Sequence, residues 1–279
     1  MTDAFRPETL DDALAVLTME NTVPVAGCTD LMVIDHAQHR EHESVVDLAY
    51  VPELRGIRET PDGLWIGAST TFAQLRASEP VCERFPVIAD MAATIGALQI
   101  QNRATVGGNI ANASPAGDSL PVWLALGAVV DIAAPGTRRQ VPYDEMHLGY
   151  RQTALEAGEL IVGLTVPFAR HEDAVPIQRY WKVGTRAAQA ISKVVVALRA
   201  ESRDGVLHDL RIAAGSVAPT PVRLRAAEEL CAGKPMTASL AAEAGRAAAS
   251  EVTPIDDVRS TADYRRFVIA RVVRRMLLG

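Results

Sequence analysis

From Gly96 to Ser119 the chain runs with little hydrophobic periodicity, yet the stretch is neither low in complexity nor poor in apolar residues. A connection of that length inside a compact domain is uncommon, and when it is not disordered it is usually functional. Its residue types suit ligand binding. Gly107-Gly108 removes two Cβ atoms in succession, so the backbone can take positive φ and approach a ligand closely. Thr105, Asn109, Asn112 and Ser114 surround the pair with small polar side chains, and Asp118 precedes a helix that tolerates Pro121 in its first turn. Such a segment can offer N–H groups to a pyrophosphate and hydroxyl or amide groups to a sugar. It can equally be a Gly-Gly turn between two helices, with Asp118 as an N-cap. G-x-G-x-x-G after a strand is absent, so this is not the Rossmann dinucleotide pattern.

A second segment, Pro24-Val25-Ala26-Gly27-Cys28-Thr29-Asp30-Leu31, reads as an apolar strand, a small-residue turn and a polar pair opening a helix. That order suits anion binding at a helix N-terminus, and also suits an ordinary strand–turn–helix capped by Thr29 or Asp30. The net charge of −6 and the absence of a basic stripe exclude nucleic acid as a partner. The same acidity means that a phosphate-bearing ligand must be held by local backbone N–H groups. Cys28, Cys82 and Cys231 are scattered and odd in number, which argues against a disulfide framework, a zinc site or a four-thiolate iron–sulfur cluster. The N-terminus lacks an apolar signal region and no run of about 18 apolar residues occurs, so we expect a cytoplasmic protein without a membrane span.

Alternating α and β signals fill the first ~55 residues: a capped helix after Thr9, strands at Val23–Ala26 and Ser44–Leu48, and a helix from Leu31. Next come a strand at Leu64–Ala68, helices at Thr71–Arg76, Phe85–Ile95 and Leu120–Leu126, and strands at Val129–Ala133 and Leu160–Val166. After a charged linker between Pro167 and Pro176, three strands are expected at Tyr180–Val183, Ser192–Arg199 and Leu210–Ala214. The last two are joined by the hairpin signal Asp204-Gly205. Ala-, Leu- and Arg-rich helices at Val222–Cys231, Thr237–Ser250 and Ala262–Leu278 close the chain. The expected class is α+β, divided at about 1–172 (parts 1–55 and 56–172) and 173–279.

The two segments together resemble the FAD-binding subunit of the molybdenum hydroxylases, the xanthine dehydrogenase and aerobic carbon monoxide dehydrogenase family. That family shows A-G-G-T-D-L near the N-terminus and Q-I-R-N-x-A-T-x-G-G-N-I-x-x-A-S-P-x-x-D about 75 residues later. Here the second stands as Gln99-Ile100-Gln101-Asn102-Arg103-Ala104-Thr105-Val106-Gly107-Gly108-Asn109-Ile110, with Ala113-Ser114-Pro115 and Asp118. Val51–Ile57, Ile66–Thr71, Glu159-Leu160-Ile161, Tyr180-Trp181-Lys182 with Arg186, Ala218–Arg223 and Asp257-Val258-Arg259 also look like family signatures, so the resemblance spans nearly the whole chain.

The resemblance implies a two-part FAD-binding domain of the PCMH type and a C-terminal domain of an antiparallel three-stranded sheet with a helix bundle. It implies a flavoprotein subunit of an oxidoreductase. A small partner subunit would carry [2Fe–2S] clusters and a large one the molybdenum cofactor, in a heterotrimer or its dimer. Electrons would arrive from the clusters and leave to NAD+ or another acceptor. Val25, Ala26, Gly27, Cys28, Thr29, Asp30 and Leu31, with Thr105, Val106, Gly107, Gly108 and Asn109, would hold the pyrophosphate and ribityl regions. Asp118 would bond polar groups of FAD, and Ile95 and Ile161 would pack against its rings, unless they serve the core alone. Lys182 would face the flavin, or be a solvated strand lysine. No catalytic acid–base pair and no metal ligand set is expected on this chain. The wording Tyr180–Gly184 with Arg186 leans towards a purine or N-heterocycle branch. Two residues depart from the pattern: Cys28 stands where the family has Gly, and Gln101 stands for Arg, with Arg103 nearby to supply a charge. A stand-alone FAD oxidoreductase of the vanillyl-alcohol oxidase type and a flavin-free assembly subunit are the rival readings.

Overall fold

A computed structural model describes residues 3–39, 42–169 and 174–279. The first unit is β1 (Asp3–Phe5), α1 (Leu10–Leu17), β2 (Thr22–Val25), α2 (Leu31–Gln38) and β3 (Ser44–Asp47). Its strands form a wholly parallel sheet in the order β1-β3-β2. Thr9 caps α1 by accepting from the Asp12 amide at 3.1 Å, and Leu10, Ala13 and Leu14 bury one face of the helix. By contrast, α2 buries no residue fully, and Met32 and Val33 are exposed.

The second unit carries β4 (Ile57–Thr60), β5 (Gly63–Gly67), then α3 (Phe72–Ala77), α4 (Glu79–Arg84), α5 (Pro86–Ala93), α6 (Leu98–Gln101), α7 (Val106–Asn112) and α8 (Leu120–Leu126). Strands β6 (Val129–Ala134) and β7 (Thr137–Pro142), a small hairpin of β8 (His147–Gly149) and β9 (Gln152–Thr153), and β10 (Leu160–Val166) complete it. The sheet runs β4-β5-β10-β6-β7, all antiparallel. The central strand β10 is almost wholly buried, as the apolar run LIVGLTV demands. Its bulge falls between Ile161 and Gly163, where a Cβ would meet Ile66 O and the Trp65 ring at 2.7 Å.

The third unit is β11 (Val175–Val183), β12 (Val194–Arg203), β13 (Val206–Gly215) and β14 (Val222–Arg223), an antiparallel sheet in chain order, with α9 (Arg225–Cys231), α10 (Ala238–Glu251) and α11 (Ala262–Leu278). The sheet thus has a fourth, two-residue strand. Val222 and Arg223 pair with Ala214 and Ala213, so the helix expected from Val222 begins only at Arg225. The linker expected at Pro167–Pro176 falls partly on residues 170–173, outside the described residues, and Pro176 already lies in β11.

The layers follow from which side chains are apolar on two faces. Every residue of α8 is buried, because it lies between the helices of the second unit and the C-terminal sheet. Along β12, Ala197 joins the core beneath α8, whereas Val194, Val196, Leu198 and Ala200 join the cluster under the C-terminal helices. Leu10 and Leu14 of α1 pack with Trp65, Leu160 and Val162 on the opposite face of the five-stranded sheet. The stretch from Gly96 to Ser119 is not a plain loop, since it contains α6 and α7.

Candidate functional site

Between the first unit and the five-stranded sheet lies a cavity of about 280 Å³, open to solvent on one side. The whole segment Val25–Leu31 lines it, and across from that segment stand Thr105, Gly107, Gly108 and Asn109, with Ile161 alongside. Two segments separated by some 75 residues are therefore brought face to face. Their approach is close enough to require glycine. A Cβ on Gly27 would stand 2.1 Å from Arg103 O, and one on Gly107 would stand 2.7 Å from Ala68 Cβ.

The two walls differ in what they leave available. On the α7 side the amides are spent on the fold: Val106 donates to Thr70 O at 3.0 Å, Gly107 to Ala68 O at 2.8 Å, Gly108 to the capping Thr105 hydroxyl at 3.2 Å and Asn109 to Thr105 O at 3.0 Å. These bonds make Gly107-Gly108 a helical turn. On the Val25–Leu31 side the amides of Gly27, Cys28, Thr29 and Asp30 donate to nothing among the described residues. Neither Thr29 nor Asp30 caps α2 with its side chain. Four unspent donors at the start of an eight-residue helix are what an anionic group needs. Cys28 holds φ +60 within this turn, the left-handed region that favours glycine, and its Sγ lies 3.6 Å from Ala26 O. Burial pushes the Cys28 thiol up, with Arg103 opposing.

Val106 does not reach the cavity; its side chain is fully buried in the core. Ile95, Asp118 and Lys182 also lie outside the cavity lining: Ile95 packs in the core, and Asp118 and Lys182 meet in a second cluster where the C-terminal sheet packs on the second unit. Asp118 is no N-cap. Ser119 holds that position, and Asp118 Oδ2 accepts from Lys182 Nζ at 2.6 Å. Nor is Lys182 a solvated strand lysine: its side chain is 10% exposed and also donates to Thr94 O at 2.9 Å. The Thr94 hydroxyl meets the Tyr180 hydroxyl at 3.0 Å. Asp118 Oδ1 is buried and makes no close hydrogen bond, but the Ser192 hydroxyl, which meets the Ser216 hydroxyl at 2.8 Å, is near enough to help hold the carboxyl's pKa down. Burial raises the Asp118 carboxyl above the usual carboxylate range against the pull of Lys182. Burial, followed by the charge of Asp118, pushes the Tyr180 phenol well above its ordinary value.

The two clusters are joined through α7 and α8. Asn109, on the cavity wall, accepts from the Ser119 hydroxyl at 2.5 Å, and Ser119 in turn accepts from the buried Trp123 indole at 3.0 Å. Sequence reasoning missed several participants. Leu155 and Glu159 line the cavity, Glu159 held in a two-pronged pair by Arg139 at 2.7 and 2.6 Å. Arg151 reaches both cavity walls, to Asn112 Oδ1 at 2.7 Å and to Asp30 Oδ2 at 3.8 Å. Glu159 sits within a signature triplet, but no local pattern marks Arg151. Among the described residues no group of His, Cys, Asp and Glu is placed to hold a metal ion, and no helix is long and apolar enough to cross a membrane.

The residues present fit a flavin dinucleotide. The unspent amides of Gly27, Cys28, Thr29 and Asp30 suit a pyrophosphate, and the small and apolar residues around them suit the rest of a dinucleotide.

Comparison with known proteins agrees with this geometry. Residues 1–169 match the FAD binding domain of molybdopterin dehydrogenases, and residues 179–279 match the C-terminal domain of the carbon monoxide dehydrogenase flavoprotein. The medium chain of carbon monoxide dehydrogenase from Hydrogenophaga pseudoflava is 32% identical over 97% of this chain and 94% of its own length. The xanthine dehydrogenase FAD-binding subunit of Escherichia coli O157:H7 is 30% identical over 98% of this chain and 93% of that subunit. A solved Hydrogenophaga pseudoflava carbon monoxide dehydrogenase, lacking the Mo-pyranopterin moiety of its molybdenum cofactor, superimposes with a TM-score of 0.93. That match covers 98% of this chain and 95% of the other, at 31% identity.

Proposed function

This chain belongs to the FAD-binding flavoprotein subunits of the molybdenum hydroxylases, and on that footing we propose that it is the electron exit of its complex. In this reading a small subunit delivers electrons from [2Fe–2S] clusters, a large subunit hydroxylates the substrate at molybdenum, and NAD+ or another acceptor receives the electrons. A purine or N-heterocycle is the substrate class we favour, on the wording of Tyr180–Gly184 with Arg186. Bound FAD would supply the redox chemistry, and the protein binds, orients and tunes it.

The observation that carries the reading is the division of donors across the cavity. We assign the pyrophosphate to the free amides of Gly27, Cys28, Thr29 and Asp30. The α7 wall, with its own amides engaged, supplies shape through Gly107 and Gly108 and polar contacts through Thr105 and Asn109. Val25, Ala26, Leu31 and Ile161 supply the apolar lining. Asp118 accepts from a polar group of the cofactor, and Lys182 fixes that carboxylate and places a cation in the same cluster. Val106 and Ile95 act from beneath, as packing. Titrating the purified chain with FAD and recording the visible spectrum tests the assignment. A stoichiometric flavin spectrum supports it, and its absence defeats it. In the reconstituted complex, substrate-dependent NAD+ reduction tests the acceptor. Activity of the chain alone, without partners, would favour a stand-alone oxidoreductase.

A further inference from the structure

The β8–β9 hairpin carries a cationic side chain, Arg151, that bridges two residues of the cavity lining without itself lining the cavity. Its tip is Tyr150-Arg151, and Arg151 holds φ +52, unusual for a residue with a side chain. From there the guanidinium donates to Asn112 Oδ1 at 2.7 Å and pairs with Asp30 Oδ2 at 3.8 Å. Asn112 ends α7 and Asp30 precedes α2; both line the cavity, on opposite walls. The hairpin is tied down at its base. The Tyr143 hydroxyl meets His147 Nε2 at 3.1 Å, Ala154 N donates to Met146 O at 2.9 Å, and the chain continues directly into Leu155 of the lining.

Asp30 creates a problem that Arg151 answers. Its carboxylate stands beside four amides that are positioned for an anion, and a carboxylate there repels a pyrophosphate. Pairing it with a guanidinium removes most of that repulsion. Because Arg presents five N–H donors in a fixed fork, two contacts leave others for a ligand. We propose that Arg151 is the latch of the cofactor site: it clasps the two walls over the dinucleotide, neutralises Asp30 and slows release of the cofactor. This rests on the reading of the cavity as the FAD site.

Exposed pairs add little to folding stability, and the Arg151 and Asp30 side chains are 37% and 50% exposed. The latch therefore acts on the ligand more than on the fold. The test uses the full chain loaded with FAD, following the rise in flavin fluorescence as FAD leaves the chain on large dilution into flavin-free buffer. Arg151→Gly is compatible with the positive φ and removes the guanidinium. We expect it to release FAD at least tenfold faster than wild type, with the thermal midpoint of the apo-chain within about 2 °C. Arg151→Lys keeps the charge but not the fork and should fall between. Asp30→Asn should reduce the effect of Arg151→Gly, because one of the two roles is then already removed. Release rates within twofold of wild type in Arg151→Gly and Arg151→Lys overturn the latch while leaving the flavin site standing. A wild-type chain that binds no FAD overturns both.

Discussion

Replacing Gly27 by alanine tests the cavity most directly, because one methyl group is set against two backbone segments that cannot rotate away. The new Cβ would stand 2.1 Å from Arg103 O, 2.8 Å from Arg103 C and 3.0 Å from Ala104 Cα. Non-bonded heavy atoms settle at roughly 3.5 Å, so the turn and the segment leading into α7 must part by about 1 Å or more. Gly27 does not take a positive φ, so the cost is contact alone. Overpacking of this kind costs about 1–3 kcal/mol, which for a chain of this size lowers the thermal midpoint by roughly 3–10 °C. The same displacement carries the amides of Gly27 and Cys28 off a bound pyrophosphate. Losing even one charge-assisted hydrogen bond costs about 1.5–3 kcal/mol, so FAD affinity should fall at least about tenfold. Differential scanning fluorimetry of the apo-chain gives the first quantity, and FAD titration by quenching of flavin fluorescence gives the second. A Gly27→Ala chain with an unchanged midpoint and an unchanged Kd would refute the close approach of the two walls.

Cys28→Gly should act in the opposite sense. It relieves a left-handed backbone worth about 1–2 kcal/mol, less about 0.5–1 kcal/mol of glycine entropy. The midpoint should therefore rise by a degree or more with FAD binding retained, and a lower midpoint would contradict the strain. Lys182→Met leaves Asp118 buried without its cation. The carboxyl pKa, already raised by burial, then rises further, so stability is retained below pH ~4 and lost as pH climbs through the new pKa. Melts should show a penalty of about 3–5 kcal/mol that grows from pH 5 to pH 8, and a pH-independent penalty would count against the pairing. Burial lowers His147 to about 4 from its ordinary 6.5. A depressed pKa means that the unfolded chain takes up the proton first, so stability present above pH 6.5 is lost as pH falls towards 4, by at most about 3 kcal/mol. Denaturant unfolding of His147→Gln should show a shallower acid limb than wild type.

What the sequence made legible was local. Leu120–Leu126, Leu160–Val166 and Ala262–Leu278 end where their apolar periods end. Asp204-Gly205 turns the β12–β13 hairpin with positive φ at both residues. The elements that escaped reading are held by distant partners. α7 contains two glycines and two asparagines, poor helix formers, and persists because the turn after β5 accepts its first amides through Ala68 O and Thr70 O and Thr105 caps it. Edge strand β7, with the polar sequence TRRQVP, has little apolar alternation and is defined by its ladder with β6. The site divides in the same way. Residues of the two long motifs were placed on the cavity by resemblance, whereas the bridge from Arg151 to Asn112 spans 39 positions and leaves no local trace. Asp118 looked like a cap because it precedes a helix by two positions; its actual partner is 64 residues away on another sheet.

That distant partner bears on how such chains can be recombined. Lys182 belongs to the C-terminal sheet, yet both groups it bonds, Asp118 and Thr94 O, belong to the flavin domain. Arg199 of β12 likewise donates to Leu126 O and Phe168 O, and α8 is buried from both sides. The halves are thus not interchangeable cassettes. A chimaera joining this flavin domain to a relative's C-terminal domain must inherit a cation opposite Asp118 and an apolar sheet face for α8, or it will bury a bare carboxylate at the junction.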